Sequence, residues 1–101
     1  MLKDMFSGFV SIHILHHAGQ QPVYGVWLME ELSRHGYSIS PGTLYPTLHR
    51  LERAGFLVSE KRVAGGRQRR YYTLTPAGET ALAEARTKLA ELVTEVLEIP
   101  D

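Results

Sequence analysis

Residues 40–46 read Ser-Pro-Gly-Thr-Leu-Tyr-Pro, and this stretch decides the fold of the chain. A serine followed by proline predicts the start of a helix, because the serine side chain caps free amides and proline at the first helical position loses no hydrogen bond. Leu44, Leu48 and Leu51 then form an apolar stripe along this helix. We therefore expect a short amphipathic helix that ends just before Gly55.

Two further helices are predicted upstream of this one. Apolar residues over 2–17 cover most of a helical circumference, so this first helix is expected to be buried on more than one side. Tyr24, Leu28 and Leu32 step by four along one face of a second helix over 23–35. The helix that begins at Pro41 is therefore the third of the chain.

A hairpin and a last helix are predicted downstream. Phe56–Val63 and Gln68–Leu74 have strand character, and the segment between them predicts a β-hairpin with a longer loop. Thr75-Pro76 repeats the cap-and-proline start and predicts a final helix to about Ile99. Three helices followed by a basic hairpin are typical of a winged helix-turn-helix, a mainly α fold with a small two-stranded β-hairpin.

Composition excludes several classes of protein. The chain has 101 residues and no cysteine, which excludes disulfide frameworks, cysteine zinc sites and thiol catalysis. No apolar run reaches the ~18 residues of a membrane span, and the N-terminus lacks the features of a signal peptide. The sequence contains neither a nucleophile-elbow pattern nor a phosphate-binding loop. We expect a cytoplasmic protein that is not an enzyme, requires no cofactor and has no membrane partner.

A formal net charge of zero conceals an uneven distribution. Residues 41–76 carry a net charge of +5, whereas residues 1–40 carry −1 and residues 77–101 carry −4. A basic middle segment between neutral and acidic ends indicates a polyanionic partner for that segment alone.

The predicted third helix and the hairpin supply the candidate contacts to double-stranded DNA. A helix of this kind enters the major groove, where it reaches phosphates and base edges, and arginines on a wing suit phosphates or a narrow minor groove. The candidate DNA-binding residues are Ser40, Thr43, Tyr45, Thr47, Arg50, Lys61, Arg67, Arg69 and Arg70.

Several motifs together resemble the PadR family of bacterial transcriptional regulators. The Ser-Pro-Gly-Thr-Leu-Tyr-Pro run is the most specific of them, and the resemblance extends in order and spacing over about residues 8–82. The short C-terminal helix is similar to that of the smaller PadR-like subgroup. The segments that carry the resemblance are 24–28, 40–46, 50–52, 55–57, 65–67 and 70–78.

The resemblance implies a homodimeric repressor on a pseudo-palindromic operator, released by an effector that is often aromatic, amphipathic or a metal ion. It implies a DNA-binding domain over 1–75 and a dimerisation helix over 76–101. The last helix also carries apolar residues at alternating spacings of three and four, which indicates a helix–helix seam. The candidate dimerisation residues are Phe6, Phe9, Leu82, Leu89, Leu92 and Val96.

Two features leave the nature of the effector open. Trp27 departs from the family pattern; it is either a packing residue at a domain or dimer boundary or an aromatic wall for an effector. His13 and His17 are four residues apart and lie on one helical face, a spacing that permits a divalent metal ion with Asp4 or Glu30 as a further ligand. The plainer interpretation is that both histidines are solvent-facing or hydrogen-bonded.

A winged helix that binds another protein is the remaining alternative. Five basic residues lie between Lys61 and Arg70 with no acidic residue among them. Such charges are costly to leave unpaired in a protein interface, whereas a phosphate backbone neutralises them. The wing therefore favours DNA.

Overall fold

The computed structural model describes residues 2–98, with side chains from residue 4 onward. The predicted order of three helices, a hairpin and a last helix is confirmed. The helices and strands are α1 Leu2–Gln20, α2 Gly25–Arg34, α3 Pro41–Arg53, β1 Leu57–Ala64, β2 Arg67–Leu74 and α4 Pro76–Val96. Ile99, the predicted end of the last helix, lies outside the described residues. Over residues 2–98, no helix has the length and apolarity that crossing a bilayer requires.

One hydrophobic core joins all four helices to the base of the hairpin. The first helix contributes most to it, which agrees with its broad apolar surface, although Phe6 near its N-terminus stays half exposed. The buried apolar residues are Val10, Ile14, Leu15, Ala18, Val23, Leu28, Leu32, Leu44, Leu48, Leu57, Tyr72 and Leu82.

The hairpin turn is tighter than the longer loop that we expected. The strands pair antiparallel from Leu57↔Leu74 to Ala64↔Arg67, so only Gly65 and Gly66 connect them. Both glycines have positive φ, of 58° and 76°. A two-residue turn with positive φ at both positions matches the right-handed twist of the flanking strands, and only glycine adopts it without strain.

The start of α2 is joined to the hairpin by a short β-bridge. Val23 and Tyr72 exchange two backbone hydrogen bonds, of 3.0 Å from the Val23 amide and 2.7 Å from the Tyr72 amide. Both side chains are buried. The bridge therefore fixes the base of the hairpin relative to α2, and α2 in turn supports α3.

The two proline-marked helix starts differ in how they are capped. Thr75 accepts a hydrogen bond from the Gly78 amide at 3.0 Å, as a capping residue does. The Ser40 side chain, which we expected to cap α3, makes no such bond. Only its backbone carbonyl accepts, from the amides of Thr43 and Leu44. The Ser40 hydroxyl is exposed and donates to the Thr43 hydroxyl at 3.5 Å.

Two candidate site residues belong to the core instead of the surface. Thr47 was predicted to contact DNA, but it is 3% exposed because position 47 lies three residues after Leu44, on the same helical face. Its hydroxyl donates to the Thr43 carbonyl at 2.8 Å. Leu82, predicted at a dimer interface, is also 3% exposed, because the first turns of α4 pack against the protomer's own core. Neither residue is available to a partner.

Candidate nucleic-acid interface

The outward face of α3 combines predicted and unpredicted side chains. Tyr45 and Arg50 are exposed, as expected, and so are His49 and Arg53, which were not among the candidate contacts. Position 53 is nine residues after Leu44, which places it about half a turn away from the buried face at 100° per residue. The helical angles of His49 and Arg53, measured from the leucine stripe, therefore predict that both residues are exposed.

Tyr45 packs over the N-terminus of α2. A β-carbon built on Gly25 would overlap its phenolic oxygen, so the ring occupies the space that a side chain at position 25 would need. Tyr45 is nevertheless 37% exposed. The side chain therefore holds α3 against α2 and keeps one edge toward solvent.

Arg50 is held along the axis of α3. Its Nη2 donates to Thr47 Oγ1 at 3.2 Å, and Thr47 in turn donates to the Thr43 carbonyl. Thr47 therefore acts as a buried support for the guanidinium.

The basic residues of the hairpin lie on two opposite faces. Alternation along the strands places Lys61 and Arg70 on the face that continues into the core. Three arginines share the other face, and none of the five is buried. These three are Arg62, Arg67 and Arg69.

Like charges stand directly opposite each other in two successive cross-strand pairs. The register pairs Lys61 with Arg70 and Arg62 with Arg69. Directly opposed like charges destabilise a sheet. An anion bound along the hairpin relieves this repulsion, so the electrostatics of the isolated hairpin favour a polyanion.

Neighbouring side chains orient several of these cations. Arg69 lies over the ring of Tyr24, with its guanidinium carbon 4.3 Å from the ring centre. Arg70 donates to Ser59 at 3.0 Å, and Ser59 donates to the Glu52 carboxylate of α3 at 2.7 Å. Through this chain the hairpin is tied to the C-terminal end of the third helix.

The remaining cations differ in their charge balance. Arg62 pairs with Glu60, which offsets its charge. Within residues 2–98, Lys61, Arg67, Arg69 and Arg70 have no acidic partner at ion-pair distance. These four hairpin side chains are the ones that an approaching phosphate meets as uncompensated charge.

Three of the other dimerisation candidates are exposed apolar residues. Leu92 is 51% and Val96 63% exposed, and Phe6 on α1 is half exposed. Phe9 and Leu89 are partly buried. The second half of α4 therefore presents an apolar seam that the described part of the chain leaves uncovered.

A histidine cluster lies between α1 and the C-terminal end of α2. The predicted pair, His13 and His17, is joined by His35 from the C-terminal end of α2, and one ring nitrogen of each lies within 4.8 Å of the others. Neither Asp4 nor Glu30 is among the three ligand residues; Glu31 lies beside two of them. Its Oε2 lies 3.1 Å from His35 Nε2 and 3.6 Å from His17 Nε2.

Burial and neighbouring charges shift the pKa values in this cluster. Burial lowers the pKa of His13, and the nearby His35 and His16 lower it further. Burial also lowers the pKa of His17, against the opposing effect of the Glu31 carboxylate. Burial raises the pKa of Glu31, but the hydrogen bond with His35 and the charge of Arg34 outweigh it and leave that pKa below its usual value. At neutral pH, His13 and His17 are therefore neutral imidazoles beside the Glu31 carboxylate.

Trp27 packs against the same cluster. Its ring meets the ring of His17 edge to face, with centroids 5.3 Å apart. It is partly buried and packs against the core. Any change at His17 is therefore felt by the single tryptophan of the chain.

Comparison with known proteins identifies the same class from sequence and from structure. The model of the transcriptional regulator PadR-like family matches residues 14–84. Transcriptional regulator Rv3488 of Mycobacterium tuberculosis is 65% identical over 96 residues, which cover 95% of this chain and 90% of the relative. These matches are to regulators and not to enzymes.

Solved structures of the family superpose closely on this fold. A PadR-like transcriptional regulator from Bacillus cereus superposes with a TM-score of 0.86 at 29% identity over 94% of both chains. A PadR-like transcription factor from Bacteroides fragilis superposes with a TM-score of 0.81 at 30% identity, covering 97% of this chain and 96% of that one. The predicted winged helix-turn-helix is confirmed.

Proposed function

Because this chain belongs to the PadR-like family of transcriptional regulators, we propose that it is a homodimeric repressor that binds a two-fold operator and is released from it by an effector. The observation that carries the proposal is the charge of the hairpin. Two of its cross-strand pairs join like charges, and several of its cations have no acidic partner among the described residues. A phosphate backbone supplies the negative charge that this surface lacks.

In this proposal, α3 and the hairpin have different tasks. Base edges are read by the exposed side chains of α3, since the major groove admits a helix. Phosphates are bound by the hairpin cations, which contribute affinity without sequence information. The α3 contacts are Ser40, Thr43, Tyr45, His49, Arg50 and Arg53, and the hairpin contacts are Lys61, Arg67, Arg69 and Arg70.

We propose that the homodimer forms through α4 and the exposed start of α1. The uncovered seam includes Leu92 and Val96, and Phe6 near the start of α1 is half exposed. In this division residues 1–75 bind DNA and residues 76–101 join the protomers. A two-fold axis then places two copies of α3 at successive major grooves, about 34 Å apart.

The alternative of a protein-interaction module is less favourable on charge. An interface with another protein would bury Lys61, Arg67 and Arg69 or leave them beside unpaired groups, and desolvating such charges costs several kcal/mol each unless they are paired. A DNA backbone offers one negative charge per about 1.7 Å of helix axis. The same three side chains are neutralised there without full burial.

A binding titration tests the proposal. The DNA upstream of the protein's own gene is titrated against random DNA of equal length. We expect tighter binding to the upstream fragment, and a reduced preference for it in the Tyr45→Ala and His49→Ala variants. Equal affinity for both fragments in the unmodified protein would contradict the assignment as an operator-specific repressor.

A divalent metal ion is the candidate effector that one observation favours. The structure brings a third imidazole to the predicted His13–His17 pair. We propose that the regulator responds to such an ion. Repeating the titration with phenols, drugs and divalent ions discriminates between effector classes, because only the ions should act through the histidines.

A further inference from the structure

The geometry points to a site for one Zn²⁺ or similar divalent ion, formed by His13, His17, His35 and Glu31. Binding of the ion at this site lowers the affinity of the protein for DNA. Its regulatory part rests on the proposed function; its metal-binding part does not. Glu31 and His35 belong to α2 and its end, so the ion would link the first helix to the segment that leads into α3.

The chemistry of the donor set fits such an ion. Imidazole nitrogens together with one carboxylate oxygen are common ligands of Zn²⁺ and related borderline ions. His17 Nε2 is buried and has no hydrogen-bond partner within the described part of the chain. An orphaned buried nitrogen is costly, and a bound ion supplies its missing partner.

Binding an ion requires the three imidazoles to draw together. Tetrahedral bonds of about 2.1 Å place ligand nitrogens about 3.4 Å apart, so nitrogens now up to 4.8 Å apart must approach by up to about 1.4 Å. The Glu31 Oε2 atom already faces Nε2 of both His17 and His35. An ion at this point replaces the His35–Glu31 hydrogen bond with shorter bonds to both groups.

The mobile partner in this contraction is His35, because its side chain is 47% exposed whereas that of His17 is 11% exposed. His35 caps the C-terminus of α2, and its amide bonds the Leu32 carbonyl. Gly36, with a φ of 87°, and Tyr37 follow directly, and Tyr37 packs edge-on against His13. Drawing His35 toward α1 therefore shifts the turn that sets the start of α3.

Trp27 provides a direct readout of the site. Zinc chloride is titrated into the dialysed full-length protein in a non-chelating buffer. Tryptophan fluorescence emission and, by calorimetry, the heat of binding are recorded. We expect a saturable change in emission with one ion bound per chain. The His35→Asn and Glu31→Gln variants should weaken binding by at least tenfold, because each removes one of the four ligands.

His16 supplies the matched control. It lies on the same helix next to His17, but it bonds Arg86 of α4 at 3.3 Å and is not part of the cluster. His16→Asn should bind zinc as the unmodified protein does. Binding that is unchanged in both ligand variants, or that is lost equally in His16→Asn, would overturn the site.

Operator binding tests the regulatory part separately. Saturating zinc should weaken binding to the upstream DNA by about tenfold, a coupling of about 1.4 kcal/mol, and should have no effect on the His35→Asn variant. Unchanged or tighter binding in zinc would overturn the regulation. Failure to bind DNA without zinc would instead overturn the proposed function, while the emission titration still decides the metal site.

Discussion

At the scale of single residues, Gly25 is required by a contact and not by its backbone conformation. A methyl group there would overlap the Tyr45 phenol. Gly25→Ala should therefore displace Tyr45, lower the free energy of unfolding by about 1–3 kcal/mol and reduce discrimination between operator and random DNA. Urea unfolding and DNA titration measure the two effects.

Gly8→Ala is the matched control for that substitution. Nothing lies within 4 Å of a β-carbon at Gly8, which is an exposed residue inside α1. Alanine should raise the free energy of unfolding there by about 0.5–1 kcal/mol, since glycine is a poor helix former. A stabilised Gly25→Ala variant would show that the Tyr45 contact is dispensable.

The positions of single residues could be predicted from sequence where neighbouring residues in the chain determine them. Helical spacing placed His13 and His17 on one face, but no local pattern links them to His35 and Glu31, which a different helix supplies. Thr47 was misplaced because its hydroxyl suggested a surface position, whereas its register with Leu44 assigns it to the core.

At the scale of elements, like charges that face each other across the hairpin lower its stability. Lys61 faces Arg70 across the strands, so Lys61→Glu converts a repulsive pair into an attractive one. We expect the free energy of unfolding to rise by up to about 1 kcal/mol while DNA affinity falls. Chemical unfolding and a binding titration on one preparation check these opposite signs.

Lys88→Glu supplies the comparison, because Lys88 is exposed on α4 away from the hairpin. It should leave DNA affinity nearly unchanged. Two results would contradict this account of the cross-strand repulsion. Either Lys61→Glu would destabilise the fold, or both substitutions would weaken DNA binding equally.

The order of the elements could be predicted because their boundaries are local. Thr75 caps α4 through its side chain, as the Thr-Pro pair suggests. We expected a longer turn than the two residues Gly65 and Gly66. The turn is short because cross-strand pairing sets the strand ends and extends to Ala64 and Arg67. Composition alone does not reveal that register.

At the scale of the whole molecule, the uncovered seam of α4 predicts a dimer. Leu92→Asp combined with Val96→Asp places charges on the exposed apolar surface and should convert dimers into monomers without unfolding them. Sedimentation velocity and circular dichroism distinguish these outcomes. Thr87→Asp, on another face of α4, should remain dimeric. A monomeric parent protein at micromolar concentration would contradict the assembly.

The salt dependence of DNA binding tests the central claim, that the hairpin cations bind the phosphate backbone. If three or four cations per protomer do so, a dimer neutralises about six to eight phosphates, and the slope of log affinity against log salt is about −5 to −7. Arg67→Ala should flatten this slope by about one to two units per dimer, whereas Lys88→Ala should not change it. A slope near zero, or an Arg67→Ala variant that binds like the parent at every salt concentration, would contradict the account.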